Sequence, residues 1–180
     1  MGWVHLHAER AAKAFRKSGA VAINENGVWR IEDTPTAIIK RGQSDYLPAQ
    51  MTAILRPYSA AGDVIVILEQ VWSRPGQGVA SMFSFGRGYG LWQGILAGLQ
   101  IPYELVEPSR WKRDMRLLKA DKGASVVLAQ QLAPSIAGEL TGPRGGAKDG
   151  RAEAVLLVMW YRQQRGKWKT PPVGAGIHLG

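Results

Sequence analysis

At 180 residues the chain is long enough for one well-packed domain and short for two, so a single core is expected. An apolar share of 46% with 22 glycines is the composition of a globular α/β protein, and the absence of cysteine excludes disulfides, thiolate chemistry and cysteine-ligated metal centres. The net charge of +9 falls almost wholly after residue 108, where thirteen Lys and Arg face five Asp and Glu, against ten and nine before it; such a surface favours a polyanion, nucleic acid first.

The alanine-rich stretch Ala8 to Phe15 reads as a helix. Gly19 to Ile23 and Val28 to Glu32 read as two strands joined by Asn24-Glu25-Asn26-Gly27, because Asn-Gly accepts positive φ. From Asp45 to Ser59 the apolar residues Leu47, Met51, Ile54, Leu55 and Tyr58 recur at helical spacing. Asp63 to Glu69 is a β-branched run expected as a central strand covered on both faces. Residues 72–80, with Pro75, Gly76 and Gly78, form a loop beside its end.

A glycine-rich helix follows, with Gly86, Gly90, Gly94 and Gly98 on one face, a pattern that predicts close approach of another backbone there. Phe83 and Trp92 of this segment are expected in the core. Tyr103 to Glu107 is a short strand, Pro108 opens a basic helix through Trp111, Asp121 to Leu132 forms another, and Gly150 to Gln164 is the last. Residues 166–180 read as a basic, disordered tail. This order predicts an α/β fold of RNase H-like build, a mixed central sheet flanked by helices. No signal-peptide pattern occurs, and no apolar stretch reaches the roughly 18–20 residues that span a bilayer; the expectation is a soluble, cytoplasmic protein without a membrane partner.

Glu69 is the sharpest single residue, since an ionised side chain ending an apolar central strand is costly unless compensated. Asp149 and Glu153 lie one helical turn apart and can share a cation, or can serve only to cap a helix start and favour its dipole. Three convergent carboxylates suit divalent-metal phosphodiester hydrolysis.

Four motifs in order carry a resemblance: Glu69-Gln70-Val71 with Pro75-Gly76-Gln77-Gly78, Phe83 to Trp92, Val106 to Lys112, and Lys148 to Ala154. From about Gly19 to Tyr161 the chain resembles the RuvC-like Holliday junction resolvases among the RNase H-type nucleases, especially the plant chloroplast resolvase and its phage and bacterial relatives. The resemblance implies a domain over 19–165 after an atypical segment 1–18, and a homodimer that nicks four-way DNA junctions symmetrically with Mg²⁺ or Mn²⁺. It implies Glu69, Asp149 and Glu153 as catalytic metal ligands. It further implies DNA contacts from Arg74 and Gln77, from Phe85, Arg87 and Tyr89 at the junction centre, and from Arg110, Lys112, Arg113, Lys119 and Lys122 along the backbone.

The first motif departs from the family pattern, with Ala14 where an aspartate belongs and Phe15 and Arg16 after it. Either a ligand is missing, or the first residues derive from a wrong start or a shifted frame, or the alternating stretch Trp3 to His7 takes the strand's place and brings Glu9 or His7 to the metal. Two function classes follow: a metal-dependent junction endonuclease, and a catalytically inactive junction-binding protein of the same fold. A dinucleotide enzyme is disfavoured, since Gly86, Gly88 and Gly90 lie about sixteen residues past the strand end.

Overall fold

A computed structural model describes residues 8–13 as backbone, and residues 19–41, 43–62, 64–70, 72, 76, 78–121, 123–143 and 145–165. Strands β1 (Ala8–Lys13), β2 (Ala20–Glu25) and β3 (Val28–Asp33) open the fold. A separate two-stranded hairpin follows, β4 (Thr36–Lys40) with β5 (Gln43–Tyr46). Then come α1 (Pro48–Leu55), β6 (Val64–Glu69), α2 (Val79–Gly98), β7 (Tyr103–Val106), α3 (Pro108–Asp114), α4 (Ala124–Leu132) and α5 (Asp149–Arg165). Five strands form one mixed sheet in the order β3-β2-β1-β6-β7, antiparallel from β3 to β1 and parallel from β1 to β7.

The helix expected over Ala8 to Phe15 is a correction: Ala8–Lys13 is a strand at the middle of the sheet, paired on both edges. Alanine prefers a helix by only a few tenths of a kcal/mol per residue, roughly, and two hydrogen-bonded ladders override that. The alternative strand at Trp3 to His7 lies outside the described residues. The hairpin at Asn26-Gly27 forms as read, both residues at positive φ (50° and 88°).

The helix expected from Asp45 begins instead at Pro48. Proline disfavours helical backbone at Leu47 (φ −109°, ψ 85°) and itself suits the first helical position, so Asp45 and Tyr46 are left to pair in β5.

Each face of the sheet buries its own cluster. Val21, Ile23, Val64, Val66 and Leu68 meet Met51, Ile54 and Leu55 of α1 and Trp92 and Leu96 of α2. On the other face Ala20, Ala22, Ile31 and Ile67 meet Trp111 of α3, Val126 and Ala129 of α4, and the apolar face of α5. Trp92 is in the core as expected, whereas Phe83 is 73% exposed.

The glycine stripe also needs correcting: nothing among the described residues lies within 4 Å of a Cβ built on Gly86, Gly90, Gly94 or Gly98. That stripe faces outward. The close approach is made by Gly88 on the buried Gly88-Trp92-Leu96 stripe, where a Cβ would stand 2.5 Å from the Tyr46 hydroxyl oxygen. No helix among the described residues is long and apolar enough to cross a membrane.

Arg151 pins the start of α5. Its Nε and Nη2 donate to the two Asp33 carboxylate oxygens at 2.7 and 2.9 Å, and its Nη1 donates to the Glu139 carbonyl at 3.0 Å. Further along α5, Trp160 Nε1 donates to Asp114, the Tyr161 hydroxyl to Glu104, and Arg162 to Asn24. Burial first, then the Glu104 carboxylate, push the Tyr161 phenol well above its ordinary value, so it remains a donor at every working pH.

Gly88→Ala should cost about 1–3 kcal/mol by overpacking against buried Tyr46, while Gly98→Ala should stay within about 1 kcal/mol of the parent; equal shifts in urea midpoint would contradict this packing. Asp33→Asn should lose about 0.5–1 kcal/mol at neutral pH, a modest figure because the pair is half-exposed. The Arg151 guanidinium holds the Asp33 carboxyl below its ordinary 3.8, so this contribution is full above that value and is lost as pH falls through the lowered one. Melting the two proteins at pH 7 and in strong acid checks this, and a gap that persists in acid would contradict it.

Candidate active site

The direction of α5 follows from two hydrogen bonds and the strand register. Arg151 reaches Asp33, which pairs with Ala20 and through it with Lys13 at the carboxyl end of β1. Arg162 reaches Asn24, which pairs with Glu9 near the opposite end. Helix α5 therefore runs antiparallel to β1 and β6, and its first turns lie at the strand end that carries Glu69.

Glu69 also shares the α5 face. Side chains alternate along a strand, so Glu69 points with Ile67, which packs in the cluster of α5 and Trp111. The carboxylate is 5% exposed and accepts a hydrogen bond from Trp111 Nε1 at 2.9 Å. The next residue of α3, Lys112, donates through Nζ to Glu153 Oε1 at 2.7 Å. Two acids distant in sequence are thus held by adjacent residues of one short helix. Asp149 opens α5 one turn before Glu153 and is half-buried; a carboxylate there is also favoured by the helix dipole.

Trp111 was missed as a site residue in the sequence. The available signal was chemical: a tryptophan expected on a buried helix face must find an acceptor for its N–H, and Glu69 is the acid at the neighbouring strand end.

The position on β1 level with Glu69, one beyond the Ala12–Leu68 pair, is Lys13. Ala14, His5 and His7 lie outside the described residues, as do Arg74, Gln77 and Lys122. Among the described residues no three His, Cys, Asp or Glu gather closely enough to hold a metal ion. Carboxylate oxygens such as those of Glu69 and Glu153 are the donor kind that a hard divalent cation takes, but the described residues do not bring a full ligand set together.

Around this centre Arg110, Arg113 and Lys119 are exposed on α3 and the turn after it, with the Arg110 guanidinium 5.5 Å from the Trp160 ring centroid. Arg87 is ion-paired with Asp45 and so ties α2 to β5. Phe85 and Tyr89 are half-buried against the α1/α2 cluster. Among the described residues, Trp72, three residues past Glu69, is 63% exposed, and Phe83 on α2 is exposed as well.

No protein-family model matches the chain, and no curated protein sequence does. Among solved structures it is similar to RuvC of Thermus thermophilus, with a TM-score of 0.51 at 12% identity over 88% of this chain and 96% of that one. It is similar also to T. thermophilus RuvC in complex with a Holliday junction substrate, with a TM-score of 0.51 at 8% identity over 87% of this chain and 96% of that one. At such identities the likeness is one of fold: this chain has a RuvC-like, RNase H-type α/β fold.

Proposed function

We propose that the chain is a structure-selective DNA endonuclease that resolves four-way junctions, working as a homodimer in the cytoplasm of a bacterial or phage-infected cell. The observation that carries this reading is the convergence of Glu69 and the first turns of α5 at one end and on one face of the sheet. The fold shared with a protein solved on a Holliday junction supports the substrate class.

In this reading Glu69 and Glu153, with Asp149 one turn earlier, hold Mg²⁺ or Mn²⁺. The bound ion supplies charge stabilisation at the scissile phosphate and an activated water. The chain's own residues do the rest. Trp111 fixes the Glu69 rotamer through its N–H, and the Arg151–Asp33 clamp fixes where α5 begins and hence where Asp149 and Glu153 stand.

Arg110, Arg113, Lys119 and Lys122 set backbone affinity and salt dependence, Lys112 adds to them in exchange for its contact with Glu153, and Arg74 and Gln77 make further DNA contacts. The stacking role that the resemblance implies for Phe85 or Tyr89 suits Trp72 and Phe83 better, because these present their rings to solvent. Arg87 reaches a phosphate only by giving up Asp45. The uncovered face of α2, with Val79 and Phe83 exposed and open space over Gly86, Gly90 and Gly94, supports the homodimer by leaving room for a second copy's helix.

A second reading, junction binding without cleavage, is supported by β1, which brings Lys13 rather than an acid level with Glu69. A synthetic four-way junction separates the two. The proposal expects paired symmetric nicks with Mg²⁺ or Mn²⁺, slowed on the order of a hundredfold or more in Glu69→Gln while the junction is still retained in a gel. A parent protein that retains the junction but never nicks it establishes the second reading, and one that does neither overturns both.

A further inference from the structure

We propose that the β4–β5 hairpin is a DNA wedge, whose exposed Ile38 and Ile39 press against an unstacked base step at a branch point while Lys40 and Arg41 hold the flanking phosphates. This rests on the reading of the chain as a branched-DNA-binding protein and is independent of metal binding and of cleavage.

The hairpin springs from the strand end that carries Glu69. Strand β3 ends there at Asp33, level with Ala20 and Lys13, and the Thr34 N–H donates to the Gly19 carbonyl at 2.8 Å. The base of the hairpin is fastened. The Leu47 N–H donates to the Pro35 carbonyl at 3.0 Å, Asp45 is ion-paired with Arg87 of α2, and Tyr46 is buried beneath Gly88. Beyond the Ala37–Asp45 pair the ribbon runs on through Ile38, Ile39 and Lys40, roughly 10 Å at the rise of a strand.

This projecting part faces solvent: Ile38 is 83% exposed and Ile39 60%, and Lys40 and Arg41 are exposed as well. The register shifts between Ile38, which pairs with Ser44, and Lys40, which pairs with Gln43. Ile39 is therefore an extra residue in a bulge, a device that bends a strand and re-aims its side chains. From Thr34 to Ser44 the chain carries two basic residues and no acid. A bulge and a lysine can also keep a sheet edge from pairing with another chain, but two exposed isoleucines work against that role. Aliphatic side chains beside cations on a fastened stem match the means by which proteins unstack a base step, an apolar wedge with contacts to the adjacent backbone. Unstacking costs least where stacking is already interrupted, so such a wedge favours a branch point over a continuous duplex.

The test is binding of the full chain, in EDTA so that no strand is cut, to a four-way junction carrying 2-aminopurine beside the branch point and to a linear duplex of the same sequence. The parent should raise the 2-aminopurine emission of the junction. Ile38→Thr with Ile39→Thr, which keeps the β-branched shape, should abolish that rise, weaken junction binding about tenfold and leave duplex binding within about twofold of the parent. Lys40→Gln with Arg41→Gln should weaken binding to both DNAs and lower the salt slope by about two.

The single variant Ile39→Thr, with the same loss in smaller measure, guards against a double variant that fails to fold. Equal loss on junction and duplex, or no loss on either, in a folded isoleucine variant overturns the wedge and leaves the DNA-binding reading standing. So does a parent that binds the junction without the rise in emission. A lower mass of the isoleucine variant in sedimentation shows that these residues join two copies of the chain, and overturns the wedge as well. A parent that binds neither DNA overturns both the wedge and the reading beneath it.

Discussion

Glu69 poses the physical problem around which this fold is arranged. Its carboxylate ends an apolar interior strand of the sheet, between β1 and β7, almost wholly removed from water, where an ionised group is costly unless partners replace its hydration. The Trp111 N–H supplies one such partner, and holding it there fixes the height and rotation of α3 against the sheet. Once α3 is fixed, Lys112 follows by one residue, and with it the half-buried ion pair that draws Glu153 toward the same end. The remainder of the α5 face, from Ile67 through Val126 to Trp160, packs around this frame.

That frame explains why the helix start matters more than its middle. Helix α5 buries an apolar face from Ala152 to Tyr161, which sets its distance from the sheet but leaves its position along its own axis open to sliding. Directional bonds remove that freedom. Arg151 to Asp33 and the Glu139 carbonyl fixes one end, and Arg162 to Asn24 fixes the other. The antiparallel course of α5 against β1 and β6 then puts Asp149 and Glu153 at the carboxyl ends of the parallel strands, where open α/β sheets ordinarily bind their ligands.

Much of this was legible in residue pattern. The Asn26-Gly27 hairpin, the β-branched run ending in Glu69 and the periodicity of α5 all express strong local preferences that agree with the tertiary structure. The failures share one cause, competition between local preference and long-range pairing. Ala8–Lys13 has a helical composition and is a strand because neighbours on both sides offer ladders. Asp45 and Tyr46 fit a helical period and are a strand because Pro48 stops the helix behind them and Tyr46 packs beneath Gly88. The outward-facing glycines of α2 show that a small-residue stripe marks where a backbone can approach, without saying from which molecule. The bonds from Trp111 to Glu69 and from Lys112 to Glu153 each span more than forty residues, and no spacing rule reaches that far.

The central claim is that acids from β6 and α5 serve one cation beside α3. Diffraction from crystals soaked in Mn²⁺, recorded at the manganese edge, tests it most directly. The account predicts an anomalous peak within about 2.0–2.3 Å of carboxylate oxygens from both Glu69 and Glu153. Saturated crystals with no peak between these two residues would contradict it.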